Sequence, residues 1–189
     1  MKNITFSNVS FKYITKKILD VASFSFTDCD KVGVVGVNGC GKSTILKLIM
    51  NEEKPNNGSI LISGDTRINY LEQDPKFPTD ISILDIIMKD SCKDYPILDY
   101  EAKSILSKMG FIDYTITTKN MSGGEIKRIA LAKVLVTPCD FLLLDEPTNH
   151  LDNDLIEFLE KYLIKFKKAY LWLLMIDISY KEYVIECLN

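Results

Sequence analysis

Apolar residues recur along this chain with two periods, and the changes of period divide it into elements. Residues 2–11 alternate, with Ile4 and Phe6 and then Val9 and Phe11 on the apolar side. A period of two predicts a half-buried strand, here an edge strand with a break near Asn8. Residues 23–27 alternate through Phe24 and Phe26, a second strand, and 28–31 make a turn. Residues 31–37 carry Val32, Val34 and Val35, a buried-strand composition. The period then becomes helical over 42–50, where Ile45, Leu46, Leu48 and Ile49 share a face. The Pro- and Gly-containing stretch 51–58 breaks the helix. Short strands follow at 59–63 and 67–71, and 81–89 and 98–109 read as helices joined by a polar linker at 90–96. A helix opens at 121–125 with Ile126, Ile129, Ala130, Val134 and Leu135 as its apolar positions. Residues 141–146 form an apolar strand that ends in two carboxylates, Asp145 and Glu146. Asp152 or Asn153 then caps a helix with Leu155, Ile156, Leu159, Leu163 and Phe166 on one side.

The junction of the third strand and the first helix carries the clearest chemistry. Residues 36–44 read Gly-Val-Asn-Gly-Cys-Gly-Lys-Ser-Thr and fit G-x-x-x-x-G-K-[ST], the phosphate loop. Gly36, Gly39 and Gly41 let successive N–H groups face one concavity, and the positive end of the following helix adds to its pull on an anion. Lys42 supplies a cation for the outer phosphates, and the Ser43 hydroxyl is a hard oxygen ligand suited to Mg²⁺. A strand before the loop and a helix after it supply the context that the motif needs.

Other positions offer chemistry with a plainer reading beside it. Tyr13 is either an exposed strand aromatic or a ring that stacks on a nucleotide base. Gln73 is either a polar turn residue or an amide oxygen that reaches Mg²⁺ and a water. Ser122 and Glu125 form a capping box, but Gly123 and Gly124 between them lower helix propensity and allow close backbone approach, which suits a phosphate. Asp145 and Glu146 are costly at a buried strand end unless they serve a cation or a proton transfer. Asp145 is then the Mg²⁺ carboxylate and Glu146 the group that polarises an attacking water. His150, the only histidine, has no evident ligand partner and reads as a polar loop residue.

Composition narrows the classes. The chain has 189 residues, 47% of them hydrophobic, enough for one ordinary domain with a small insert. A net charge of −3 gives no bulk reason to expect nucleic acid. Cys29, Cys40, Cys92, Cys139 and Cys187 are odd in number and contain no C-x-x-C pair. They read as reduced thiols in a cytoplasm rather than a disulfide frame or zinc site. The first residues lack the apolar core of a signal peptide. The apolar run 169–176 is too short to span a bilayer, so any membrane link is expected to run through a partner and not by direct insertion.

The phosphate loop, Met-Ser-Gly-Gly-Glu at 121–125 before Lys127 and Arg128, and Leu-Leu-Leu-Asp-Glu-Pro-Thr-Asn-His-Leu-Asp at 142–152 together resemble the ATP-binding cassette (ABC) ATPases. The resemblance covers residues 1–171. The Thr-Asn-His-Leu-Asp ending, the stretches 69–73 and 100–106 and the short helical insert are similar to the amino-terminal cassette of the ABC-F branch. Members of that branch carry two cassettes in one chain and act on ribosomes. The resemblance implies an α/β fold of the P-loop NTPase, ABC ATPase type: a mixed sheet core with a small helical subdomain at about 79–135. It implies ATP and Mg²⁺ as ligands and ATP hydrolysis as the activity. Tyr13, Gly36, Asn38, Gly39, Cys40, Gly41, Lys42, Ser43 and Thr44 are the implied ATP contacts, and Lys42, Gln73 and Glu146 the catalytic set. Ser43, Gln73 and Asp145 are the implied Mg²⁺ ligands. Ser122, Gly123, Gly124 and Glu125 form the signature that contacts ATP held by a second cassette, and Asp152 lies in the loop that crosses the seam. The implied partners are that second cassette and, through the branch, ribosomal RNA. The alternative is the ATP-binding subunit of a membrane transporter. Those proteins more often end the Asp-Glu-Pro motif with Ser-x-Leu-Asp and carry a longer insert.

Residues 172–189 depart from the family. Its switch histidine is expected near position 175, where this chain has Met175. Codons for the tail, read with the third base of each joined to the first two of the next, permit Val, Thr, His, Asp, Arg, Tyr, Phe and Leu from Trp172 onward. That string resembles the missing family segment. The expectation is a frameshift near residue 171, with the tail out of frame and the chain truncated and weakly active or inactive.

Overall fold

The computed structural model describes residues 1–14, 16–36, 39–91, 93–175 and 184–187. The chain forms two compact units. The first comprises residues 1–68, 140–146 and 167–189, and the second comprises 69–139 and 147–166.

The first unit holds two sheets. Strands β1 (Asn3–Tyr13), β2 (Lys16–Thr27) and β4 (Asn57–Ile62) form an antiparallel sheet in the order β2-β1-β4. The expected edge strand is therefore the central one. Alternation reports one buried face and one wet face, and it says nothing about how many neighbours the backbone has. The break near Asn8 is a bulge. Ile4 and Phe6 are buried, and so are Val9 and Phe11, at positions of opposite parity. An extra residue is the device that lets both pairs face one core. Asn8 takes it up at φ 50, and the pairing register shifts on both sides of it. Phe6 stacks on Phe24 with ring centroids 4.3 Å apart, which ties β1 to β2. β2 is longer than the expected strand because its pairing with β1 already begins at Lys16, opposite Tyr13.

The second sheet contains β3 (Lys31–Gly36), β6 (Phe141–Asp145), β7 (Ala169–Met175) and β8 (Val184–Cys187). β7 lies between β3 and β6, parallel to both, and β8 pairs antiparallel with β3. The sheet is thus mixed. Every residue of β6 is buried, as a near-continuous apolar run predicts for a parallel strand. Helix α1 (Lys42–Ile49) follows β3 and buries Ile45, Leu46, Leu48 and Ile49. Of the tail read as out of frame, the residues beyond Met175 are described only over Val184–Cys187.

The second unit is mainly helical. It contains most of β5 (Ile68–Leu71), with α2 (Ile83–Met88), α3 (Asp99–Lys108), α4 (Gly123–Val136) and α5 (Asn153–Lys165). Caps fix the helix starts. Ser82 accepts from the Asp85 N–H at 3.1 Å, and Asp152, not Asn153, caps α5 by accepting from the Leu155 N–H at 2.9 Å. α4 buries more than the expected stripe: Lys127, Ile129, Ala130, Leu131, Ala132 and Leu135 are inside, while Ile126 and Val134 are half-buried. α5 buries Leu155, Leu159 and Leu163, the centre of its predicted face. Among the described residues no helix is long and apolar enough to cross a membrane.

Candidate nucleotide site

The parallel pairing sets the geometry of the first unit. Gly36 at the end of β3 lies opposite Met175, and Asp145 at the end of β6 lies opposite Leu173, both on β7. The two strands therefore end on the same side of the sheet, the side where ligands bind in open α/β sheets. A Cβ on Gly36 would come within 2.8 Å of the Cys40 Sγ, so any larger residue requires that side chain to shift. Gly41 stands at the head of α1 with φ 111° and ψ 20°, a backbone open to glycine and strained for any L side chain. Gly39 has φ 70°. Asn38, one of the expected ATP contacts, lies outside the described residues.

Lys42 is the first residue of α1 and only 4% exposed. Its ammonium donates to the Gly36 carbonyl at 2.7 Å and stands 3.9 Å from Glu146 Oε1. Asp145, next to Glu146, is 1% exposed. Glu146 itself has φ 45°, the left-handed region that L residues rarely enter, and it is half-buried. Strain of this kind persists where the surroundings dictate it, often at functional positions. Thr44 is buried and Ser43 half-buried beside it, with the Thr44 N–H donating to the Gly41 carbonyl at 3.0 Å. The loop, its lysine and the two strand-end carboxylates thus lie in one unit.

Tyr13 also belongs to this unit. Its ring is 40% exposed and packs edge-on against Phe11, centroids 4.8 Å apart. The hydroxyl donates to Glu53 Oε1 at 3.0 Å. Burial pushes the phenol pKa up and the Glu53 carboxylate adds to that, while a hydrogen bond with Thr44 acts the other way. Lys16, the ladder partner of Tyr13, donates from its ammonium to the Gly39 carbonyl.

The remaining expected residues lie in the second unit. Ser122 caps α4, accepting from the Glu125 N–H at 3.3 Å, while Glu125 Oε2 accepts from the Ser122 N–H at 2.8 Å. The backbone N–H of Ser122, then its hydroxyl, holds the Glu125 carboxyl below its ordinary pKa. A Cβ on Gly123 would meet nothing within 4 Å, and one on Gly124 would make only ordinary contact, 3.7 Å from the His150 carbonyl oxygen. His150 has φ 67°. Gln73 is exposed, and its main-chain carbonyl accepts from Lys127 at 3.1 Å.

Lys127, Glu53 and Lys16 are contacts that the sequence did not single out. In the sequence Lys127 reads only as part of a basic helix. It is 3% exposed, and its ammonium holds the carbonyls of Glu72, at 2.8 Å, and Gln73. Arg128 donates to the Met109 carbonyl at 3.1 Å. The spacing of Lys127 with Leu131 and Leu135, four residues apart each time, was the available signal that it lies on the buried stripe. No group of three or more potential His, Cys, Asp or Glu metal ligands occurs among the described residues. Cys29 is exposed, Cys40 half-buried and Cys139 buried, while Cys92 lies outside the described residues, and so does the side chain of Cys187.

Comparison with known proteins agrees with this arrangement. The chain is 33% identical over 190 residues to ABC transporter F family member 2 of Arabidopsis thaliana, covering 97% of this chain and 26% of that protein. It is 31% identical over 194 residues to the energy-dependent translational throttle protein EttA of Mycobacterium tuberculosis, covering 82% and 35%. It spans about a third or less of the length of the first curated relatives it matches, 32%, 30% and 26%. Among solved structures, an ABC transporter ATP-binding protein from Pyrococcus furiosus superposes with a TM-score of 0.76 at 23% identity, over 94% of both chains, a likeness of fold. The model of the ABC transporter family matches residues 19–149, and the chain belongs to that family, of which it carries the ATPase domain.

Proposed function

We propose that the chain is a cassette of the ABC-F type that binds Mg²⁺-ATP, and that hydrolysis proceeds when a second cassette supplies its signature. The reading rests above all on one juxtaposition: the Lys42 ammonium at the head of α1, 3.9 Å from Glu146, whose chain neighbour Asp145 is buried. Lys42 and the first turn of α1 take the anionic phosphates, where a cation and the helix dipole act together. Tyr13 stacks on the base. Glu146 accepts a proton from the water that attacks the γ-phosphorus as the bond to the ADP oxygen breaks. Ser43 and Asp145 would hold Mg²⁺, which when bound offsets charge on the phosphate oxygens. The uncrowded Gly123 and Gly124 present the N-terminus of α4 to ATP held by the partner cassette, and Asp152 stands at the seam. The relatives named for the F family and for a translational role favour action on ribosomes in the cytoplasm.

The test has two arms. Lys42→Ala abolishes Mg²⁺-ATP binding by calorimetry, whereas Glu146→Gln binds ATP and stops single-turnover hydrolysis. Retained ATP binding by Lys42→Ala sinks the proposed site. The chain co-sediments with ribosomes; recovery with membranes instead would favour the ATP-binding subunit of a transporter. The tail is proposed to be out of frame from near residue 171, which accounts for Met175 at the expected place of the switch histidine. Codon 174 must then be CTC, and any other codon overturns this.

A further inference from the structure

The turn after Tyr13 brings two adjacent lysines onto β2, and their surroundings differ. Lys17 forms an exposed ion pair with Asp20, Nζ to Oδ2 2.8 Å. Lys16 reaches the phosphate loop instead and donates to the carbonyl of Gly39. Tyr13 and Lys16 are directly opposed in the β1–β2 ladder. Directly opposed residues project from the same face of a sheet. Both contacts agree with that rule: the Tyr13 hydroxyl reaches Glu53 and Thr44, and the Lys16 ammonium reaches Gly39.

The charges around the loop sharpen the point. Within the first unit the carboxylates of Asp145, Glu146 and Glu53 border the region, and Lys42 is the loop's own cation, already facing Glu146 and the Gly36 carbonyl. A nucleotide adds further negative charge. A base stacked on Tyr13 with its phosphates in the loop runs its chain past the ladder partner of Tyr13. An exposed lysine keeps a mobile four-carbon stem and three donors, so it can exchange a neutral carbonyl for a phosphate oxygen, the stronger acceptor.

We propose that Lys16 is a second nucleotide-binding cation, holding the phosphate chain of a nucleoside di- or triphosphate together with Lys42. The inference rests on the nucleotide reading above and names a residue that the phosphate-loop motif does not contain. Lys16 carries binding of the phosphates and Tyr13 that of the base.

Calorimetry on the full chain with Mg²⁺-ATP tests this, with Lys16→Met, Lys16→Arg, Lys17→Met and Lys42→Ala compared. Lys16→Met weakens ATP binding about tenfold, in keeping with loss of one charge-assisted hydrogen bond. Lys16→Arg restores most of the affinity, and Lys17→Met leaves it unchanged. Thermal melting of Lys16→Met matches the parent, because the side chain is exposed. A second measurement separates contact with phosphate from bracing of the loop. An acyl-phosphate derivative of ATP, which transfers its acyl group to amines beside the phosphates, labels both Lys16 and Lys42, and excess ATP suppresses the labelling. Lys16→Met binding ATP like the parent, or labelling confined to Lys42, overturns the proposal. If the parent chain binds no Mg²⁺-ATP and Lys42→Ala changes nothing, the nucleotide reading itself falls and takes this one with it.

Discussion

Asp140 stands one residue before β6 and is only 4% exposed. Its Oδ2 accepts from the Lys2 ammonium at 2.8 Å and from the Arg67 N–H at 3.0 Å, with the Arg67 Nε at 3.5 Å. Burial alone would push its pKa up, but the hydrogen bonds from Lys2 and Arg67 outweigh it and bring the pKa down to about 2. A carboxylate with a depressed folded pKa stabilises the fold at pH values above its unfolded pKa. The contribution is lost as pH falls from about 4 through about 2, and a drop of this size corresponds to about 2 kcal/mol. Asp140→Asn is therefore expected to lower the urea-unfolding free energy by about 2 kcal/mol at pH 7. The gap between variant and parent should narrow as the pH is taken toward 2, and a gap independent of pH would sink the argument. This tie was not legible beforehand, since its partners lie far away in the sequence. Lys42, Asp145 and Glu146 were legible because the loop and the strand end carry them on short, recognisable stretches. The burial of Lys127 was not legible, because a lysine on a helix is usually exposed.

At the scale of elements, the bulge in β1 and the glycine beside it form one device. Gly58 on β4 has φ 80°, and a Cβ there would lie 2.3 Å from the Asn8 carbonyl oxygen. Gly58→Ala combines a left-handed backbone with a clash against main chain, and should cost about 3 kcal/mol in urea unfolding. A loss below about 1 kcal/mol would mean that the sheet yields there easily. The signature glycines predict the opposite sign. Gly124 lies in the first turn of α4, and its Cβ would meet nothing closer than 3.7 Å. Gly124→Ala should stabilise the chain by about 0.5 kcal/mol through helix propensity and a less free unfolded chain. The same change should lower partner-dependent ATP turnover by more than about tenfold, if a ligand approaches that backbone closely. Stabilisation without loss of turnover would leave these glycines unexplained. The period-two and helical patterns located β1, α4 and α5, while β4 begins inside the stretch 51–58 that reads as a breaker. They could not place β1 at the centre of its sheet, because strand neighbours are chosen by backbone pairing across distant segments. They also could not tell Asp152 from Asn153 as the cap of α5, since both residue types cap well.

For the whole molecule, the proposed division of labour puts the phosphate loop and the signature to work on different ATP molecules. A chain carrying one of each then has two half-sites, and completion depends on a second cassette. A further copy can serve only by presenting α4 to the loop of the first, the self-complementary arrangement of a two-fold pair. A copy carrying Lys42→Ala keeps its signature and cannot use its own loop. Added in excess to a low, fixed concentration of the parent, it should raise ATP turnover per parent chain by about tenfold as mass action fills the pair. The double variant Lys42→Ala with Gly124→Asp should give no rise, because it offers neither half. Each copy carries a net charge of −3, so the stimulation should also strengthen as salt screens their repulsion. Equal stimulation by the single and double variants would show that the signature is not what the second copy contributes. No stimulation by either would mean that two copies of this chain do not stand in for paired cassettes.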